Sequence, residues 1–110
     1  MIKYVSLPDK RTTIAILEDC EFDAINKIEK MCDNVFDNGI YVGVVYRKYV
    51  MPNRFKVSVV CSDEDVWDEA EGKRIAKAKL LRNYYASLDK RINRFKREFE
   101  KCSKELLAKF

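Results

Sequence analysis

From Ala78 to Leu106 the chain reads AKLLRNYYASLDKRINRFKREFEKCSKEL, and this stretch decides the architecture. Apolar residues recur at Ala78, Leu81, Tyr85, Leu88, Ile92, Phe95, Phe99, Cys102 and Leu106, in alternating steps of three and four. That spacing keeps one stripe of a helix apolar and follows the a and d positions of a heptad repeat. A helix from residue 64 to 108 would be roughly 67 Å long at ~1.5 Å per residue. A domain of this size is only about 30–35 Å across, so the helix is expected to overhang, to break, or to pair with another chain.

Gly72 is the expected break, because glycine inside a helix costs ~1 kcal/mol relative to alanine. Val66, Trp67 and Ala70 would then form a short segment packed on a sheet, with Trp67 as a core residue. The narrow stripe that follows asks for a partner helix. Leu81, Tyr85, Leu88, Ile92, Phe95, Phe99 and Leu106 are accordingly read as a self-association seam. A parallel homodimer would oppose Lys77 to Arg82 and Arg91 to Lys96, like charges in both cases. An antiparallel pair, a fold-back or a different protein on the seam is the better expectation.

Working back from the helix, Ser62-Asp63-Glu64-Asp65 supplies a cap and negative charge for its start, with Asp65 three residues after Ser62. Three segments before it alternate with the period of strands: Arg11 to Leu17, Ile40 to Arg47, and Arg54 to Cys61. Ile2 to Ser6 reads as a further strand, joined to the first through Leu7-Pro8-Asp9-Lys10, while Val50-Met51-Pro52-Asn53 reads as a hairpin turn. Between the hairpins, Ile25, Ile28, Cys32 and Val35 recur at helical spacing, with Asp19 as N-cap and Asn38-Gly39 as the stop. The expected architecture is a single α+β domain over residues 1–110, with a small antiparallel sheet in ββαββα order and a long C-terminal amphipathic helix.

The 110 residues carry a net charge of +4, but unevenly. Residues 1–72 hold 9 Lys/Arg and 14 Asp/Glu, whereas residues 73–110 hold 13 and 4. Lys79, Lys90, Arg94, Arg97, Lys101 and Lys104 fall on the helix face opposite the apolar stripe. A basic stripe of this kind suits phosphates or an acidic protein surface, and it is also what a solvated helix face looks like. Tyr84, Lys90, Arg91, Arg94, Arg97, Lys101 and Lys104 are the candidate contacts to a partner or phosphate. Tyr41, on the second face of its strand, is a further candidate exposed aromatic.

Catalytic chemistry is poorly provided for. With no histidine, none of Cys20, Cys32, Cys61 and Cys102 has an imidazole base, and no C-x-x-C pair suggests zinc. Buried small side chains are the expected role of all four. Asp63, Glu64, Asp65, Asp68 and Glu69 could face a Mg²⁺ ion, but they read better as helix-start acids, since metal-dependent sites draw carboxylates from separate elements. No cofactor or metal is expected. Nowhere do ~20 apolar residues run together to span a bilayer, and no leader or lipidation signal is evident, so a cytoplasmic protein without membrane contact is expected.

The run Val59-Val60-Cys61-Ser62-Asp63-Glu64-Asp65-Val66-Trp67-Asp68, with Gly72 and Ile75-Ala76, resembles a pattern in small bacteriophage and prophage proteins. The pattern is a strand ending in Cys, a D-x-[FW]-D helix start, then Gly and Ile-Ala. It covers about 20 of the 110 residues, and this chain has Glu64 where the group commonly has Pro. The resemblance implies a phage origin, hence a bacterial host cell, and implies no particular activity. Small phage proteins without catalytic residues often act stoichiometrically on host or defence proteins. The expected function is such an inhibitor or modulator, not an enzyme. The alternatives are a sequence-independent nucleic-acid-binding protein and a structural coiled-coil virion component.

Overall fold

Alternation of inward apolar and outward side chains makes three strands, β1 (Ile2–Leu7), β2 (Thr12–Leu17) and β3 (Phe55–Val60), in a computed structural model that describes residues 1–32 and 48–108. The other regular elements are α1 (Asp23–Cys32) and α2 (Glu69–Ala108). The strands form an antiparallel sheet in the order β1-β2-β3. The fold is therefore α+β, with a small antiparallel sheet and a long C-terminal helix. The strand expected at Ile40–Arg47, including Tyr41, lies outside the described residues. Lys48 and Tyr49 are helical, and residues 50–54, the site of the expected hairpin link, run irregularly into β3.

The chain divides into two compact units, Met1–Cys20 with Pro52–Tyr85, and Glu21–Met51 with Ala86–Phe110. In the first, the register places side chains in three rows across one sheet face: Ile2–Leu17–Phe55, Tyr4–Ala15–Val57 and Ser6–Thr13–Val59. The first part of α2 covers these rows. Ser6 Oγ donates to Glu69 at 3.1 Å, the Lys73 ammonium stands 5.9 Å from the Tyr4 ring centre, and Tyr84 meets Phe55 edge-to-face at 5.7 Å. Ala15, Ala76 and Leu80 are fully buried at the centre. Burying a leucine in this way contributes roughly 1.5–3 kcal/mol.

Small residues at the contact let helix and sheet approach closely. A methyl group on Gly72 would overlap Thr13 Oγ1 and lie 3.3 Å from Thr13 Cβ. Gly72 is thus required by packing, and it does not break the helix, which runs unbroken from Glu69 to Ala108. The expected break is corrected on this point.

The helix start also differs from expectation. Residues 61–68 form turns, because the Arg11 guanidinium donates to the carbonyls of Ser62 (2.8 Å) and Asp65 and takes those groups away from helical pairing. Asp68 is the cap instead: its Oδ1 accepts from the Ala70 and Glu71 amides at 3.0 and 3.3 Å. Val66 is 90% exposed and Ala70 is exposed, so they do not form the short packed segment expected of them, while Trp67 is half-buried.

Among the described residues of the second unit, the buried apolar side chains are Ala24, Ile25 and Ile28 of α1, Tyr49 and Met51, and Leu88 and Ile92 of α2. The Met51 amide donates to Glu21 O at 3.0 Å. Asp19 does not cap α1; it takes a left-handed conformation (φ 61°), and the helix starts four residues later.

Candidate binding surface

The basic residues of α2 separate into two kinds once their partners are known. Arg91 is half-buried and spent inside the second unit: its Nε donates to Val50 O at 2.9 Å, and its Nη1 to the carbonyl (3.0 Å) and hydroxyl of Ser87. It holds the 48–51 segment against the helix, and its expected role as a partner contact is corrected to a structural one. Lys90, Arg94, Arg97, Lys101 and Lys104 are exposed, one or two per helical turn along one side. Arg94 Nε meets Glu98 at 3.1 Å, and Lys104 Nζ meets Glu100 at 3.3 Å. Exposed i,i+4 pairs of this sort are worth only ~0.3–0.5 kcal/mol and open readily toward a stronger partner.

Arg97, Lys101 and Lys104 share a shallow groove with Glu100 and Glu105. The face is therefore of mixed sign, predominantly basic.

Glu98 is the pivot beneath this face. The Tyr49 hydroxyl donates to its Oε2, and Lys48 Nζ approaches the same oxygen at 3.4 Å. The Tyr49 hydrogen bond, opposed by partial desolvation and helped by Arg94 and Lys48, holds the Glu98 carboxyl below the ordinary carboxylate range. Tyr49 also packs edge-to-face on Phe95 at 5.8 Å. Sequence reading missed this hub, because its members lie 49 positions apart and Glu98 looks like an ordinary solvent-facing acid.

The other expected contacts are placed as follows. Tyr84, read as an exposed aromatic, is half-buried between Phe55 and Tyr85, and is corrected to a packing residue. Of the expected seam, Leu88 and Ile92 are 4% and 6% exposed within the second unit, so neither can serve a partner helix in this state. Phe95 is half-buried by the same packing. Leu81 is half-buried, whereas Tyr85 (52%) and Phe99 (39%) stay exposed. The side chains of Cys102 and Leu106 lie outside the described residues, as does that of Cys32.

Of the two cysteines described, Cys20 is buried and Cys61 is half-exposed, 3.3 Å from Arg11 Nη2. The acids Asp68 and Glu69 are engaged as the cap and with Ser6 and Lys73. Among the described residues no three Cys, Asp or Glu converge on a common point suited to a metal ion, and no helix is long and apolar enough to cross a membrane. Comparison with known proteins finds no matching family model, curated relative or solved structure.

Proposed function

We propose that this chain is a non-catalytic binding protein that acts by occupancy: a phage-encoded inhibitor or modulator of a host or anti-phage defence protein. Its contact surface is the exposed stripe Lys90, Arg94, Arg97, Lys101 and Lys104. The observation that carries the choice of a protein partner is the mixed sign of the groove, where Glu100 and Glu105 stand among Arg97, Lys101 and Lys104. A polyphosphate backbone would bring its own charges against those two carboxylates, which disfavours it. An acidic protein surface with a few basic points would complement both signs of the groove. The phage origin rests on the resemblance at residues 59–76.

The test compares wild-type protein with a Lys90→Glu, Arg97→Glu, Lys101→Glu variant, both shown to be folded by circular dichroism, as bait in host-cell lysate. A protein captured by the wild type and lost by the variant supports the reading; equal capture overturns it. A parallel titration against labelled single- and double-stranded DNA and RNA at about 50 and 200 mM salt decides the nucleic-acid alternative. Tight binding that weakens steeply with salt would make that alternative the function.

A further inference from the structure

Arg94 differs from the other cations of its stripe in how it is held. Its Nε donates to Glu98 Oε1 at 3.1 Å. The other oxygen of that carboxylate, Oε2, accepts from the Tyr49 hydroxyl and faces Lys48 Nζ at 3.4 Å. Tyr49 is 2% exposed, and its ring packs on Phe95. The two carboxylate oxygens are therefore divided between a buried donor and a surface one, and Glu98 ties Arg94 to the core of the second unit. Because the Tyr49 hydrogen bond keeps Glu98 ionised, both contacts are charge-assisted. Lys104 lacks such support: its partner Glu100 is exposed and has no second polar contact among the described residues.

What this tether leaves open is the outer edge of the guanidinium. Nε is taken, while Nη1 and Nη2 have no partner among the described residues. Lys90 stands one turn before Arg94 and Arg97 one turn after, both exposed and neither in an ion pair among the described residues. A planar fork with two free terminal nitrogens fits a group that offers two coplanar oxygens. The flanking cations favour a negatively charged one.

We propose that Arg94 is the anchoring contact of the stripe, a pre-oriented fork for one side-chain carboxylate of an acidic protein partner, with Tyr49 and Glu98 as its positioning residues. The proposal rests on the reading of this stripe as the contact surface, and adds which of its residues sets orientation. Ordering a long side chain on binding weakens affinity by roughly three- to tenfold. For Arg94 much of that ordering is present in the free protein, whereas Arg97 has no tether among the described residues. Pre-organisation of this kind strengthens binding without adding a contact.

The test titrates the full chain with a hexaglutamate peptide, near neutral pH and at low salt, and follows the side-chain nitrogen NMR signals of Arg94 and Arg97. The Arg94 signals are expected to move at lower peptide concentration than those of Arg97. Tyr49→Phe alters no charge of the stripe and lies at a buried position, yet it should weaken peptide binding about threefold. In an Arg94→Lys background the same change should have no further effect, since a lysine has no fork to orient. Circular dichroism verifies that each variant is folded. A Tyr49→Phe protein that binds as wild type overturns the proposal, and so does an Arg94 signal that excess peptide leaves unmoved. An equal loss in the Arg94→Lys background overturns it too, because Tyr49 would then act on the fold alone. The stripe itself is judged separately by lysate capture with the Lys90→Glu, Arg97→Glu, Lys101→Glu variant. Capture lost in that variant beside a flat response to Tyr49→Phe sinks only the tether. Unchanged capture beside the expected response supports the fork and overturns the stripe as the partner surface.

Discussion

Arg91 Nε donates to the backbone carbonyl of Val50 at 2.9 Å, so a residue that looks like part of a basic binding stripe is a strut of the second unit. On the exposed stripe Arg94 and Lys104 instead meet the carboxylates of Glu98 and Glu100, so cations of one helix divide between a backbone strut and a solvent-facing side.

Arg91→Ala is expected to destabilise the protein by about 1–3 kcal/mol, the cost of leaving a part-buried carbonyl without its charged donor. Arg97→Ala, a fully surface change, should stay within ~0.5 kcal/mol of wild type. Urea unfolding monitored at both near- and far-ultraviolet wavelengths measures the contrast. Equal effects of the two would remove the structural role assigned to Arg91.

Gly72 and Thr13 should be energetically coupled. Thr13 is completely buried and its Oγ1 finds no hydrogen-bond partner among the described residues, while a methyl at 72 would overlap that same atom. Thr13→Val removes a buried unsatisfied hydroxyl and is expected to stabilise by ~1 kcal/mol or more. Gly72→Ala alone should destabilise by ~1–3 kcal/mol through overpacking, against its gain in helix propensity. In a Thr13→Ala background most of that cost should vanish, so a double-mutant cycle should show a coupling of ~1 kcal/mol or more.

Leu80 and Leu81 are adjacent and chemically identical, yet only Leu80 is fully buried, against Ala15 and Ala76. Leu80→Ala is expected to cost about 2–5 kcal/mol, and Leu81→Ala clearly less. Thermal melts of the two variants order them; the reverse order would mean that α2 is rotated by a residue relative to the sheet.

Protonation of Glu98 should loosen the second unit. Because its carboxyl titrates below the ordinary value in the folded state, chiefly through the Tyr49 hydrogen bond, the stability it contributes is fully present above the unfolded pKa of about 4.3. That contribution is lost as the pH falls from there through the lowered folded value. Glu98→Gln should therefore be less stable than wild type near neutrality and should flatten the decline between about pH 5 and pH 3. Tyr49→Phe should reproduce part of the flattening. Denaturant midpoints at half-unit pH steps provide the reading, and an unchanged wild-type slope in both variants would count against the hub.

Much was legible from the chain alone. Period-2 alternation placed β1, β2 and β3 within a residue or two, because a strand half-covered by a helix must alternate. A long helix in the second half and the charge step near residue 72 follow from periodicity and composition directly, whereas the expected start at Ser62 and break at Gly72 do not hold. What one dimension could not decide was which of two equivalent side chains turns inward. The doublets Leu80–Leu81 and Tyr84–Tyr85 satisfy a heptad rule or a packing rule equally well, and the rows Tyr4–Ala15–Val57 and Ile2–Leu17–Phe55 select Leu80 and Tyr84. The helix start likewise waited on Arg11, which is about fifty positions away and captures the carbonyls of Ser62 and Asp65. Local periodicity is a property of the sequence because each residue's direction follows from backbone geometry. The choice between Leu80 and Leu81, the work of Arg91 and the tolerance of Gly72 belong to tertiary structure, because each is set by an atom that the chain brings back from far away.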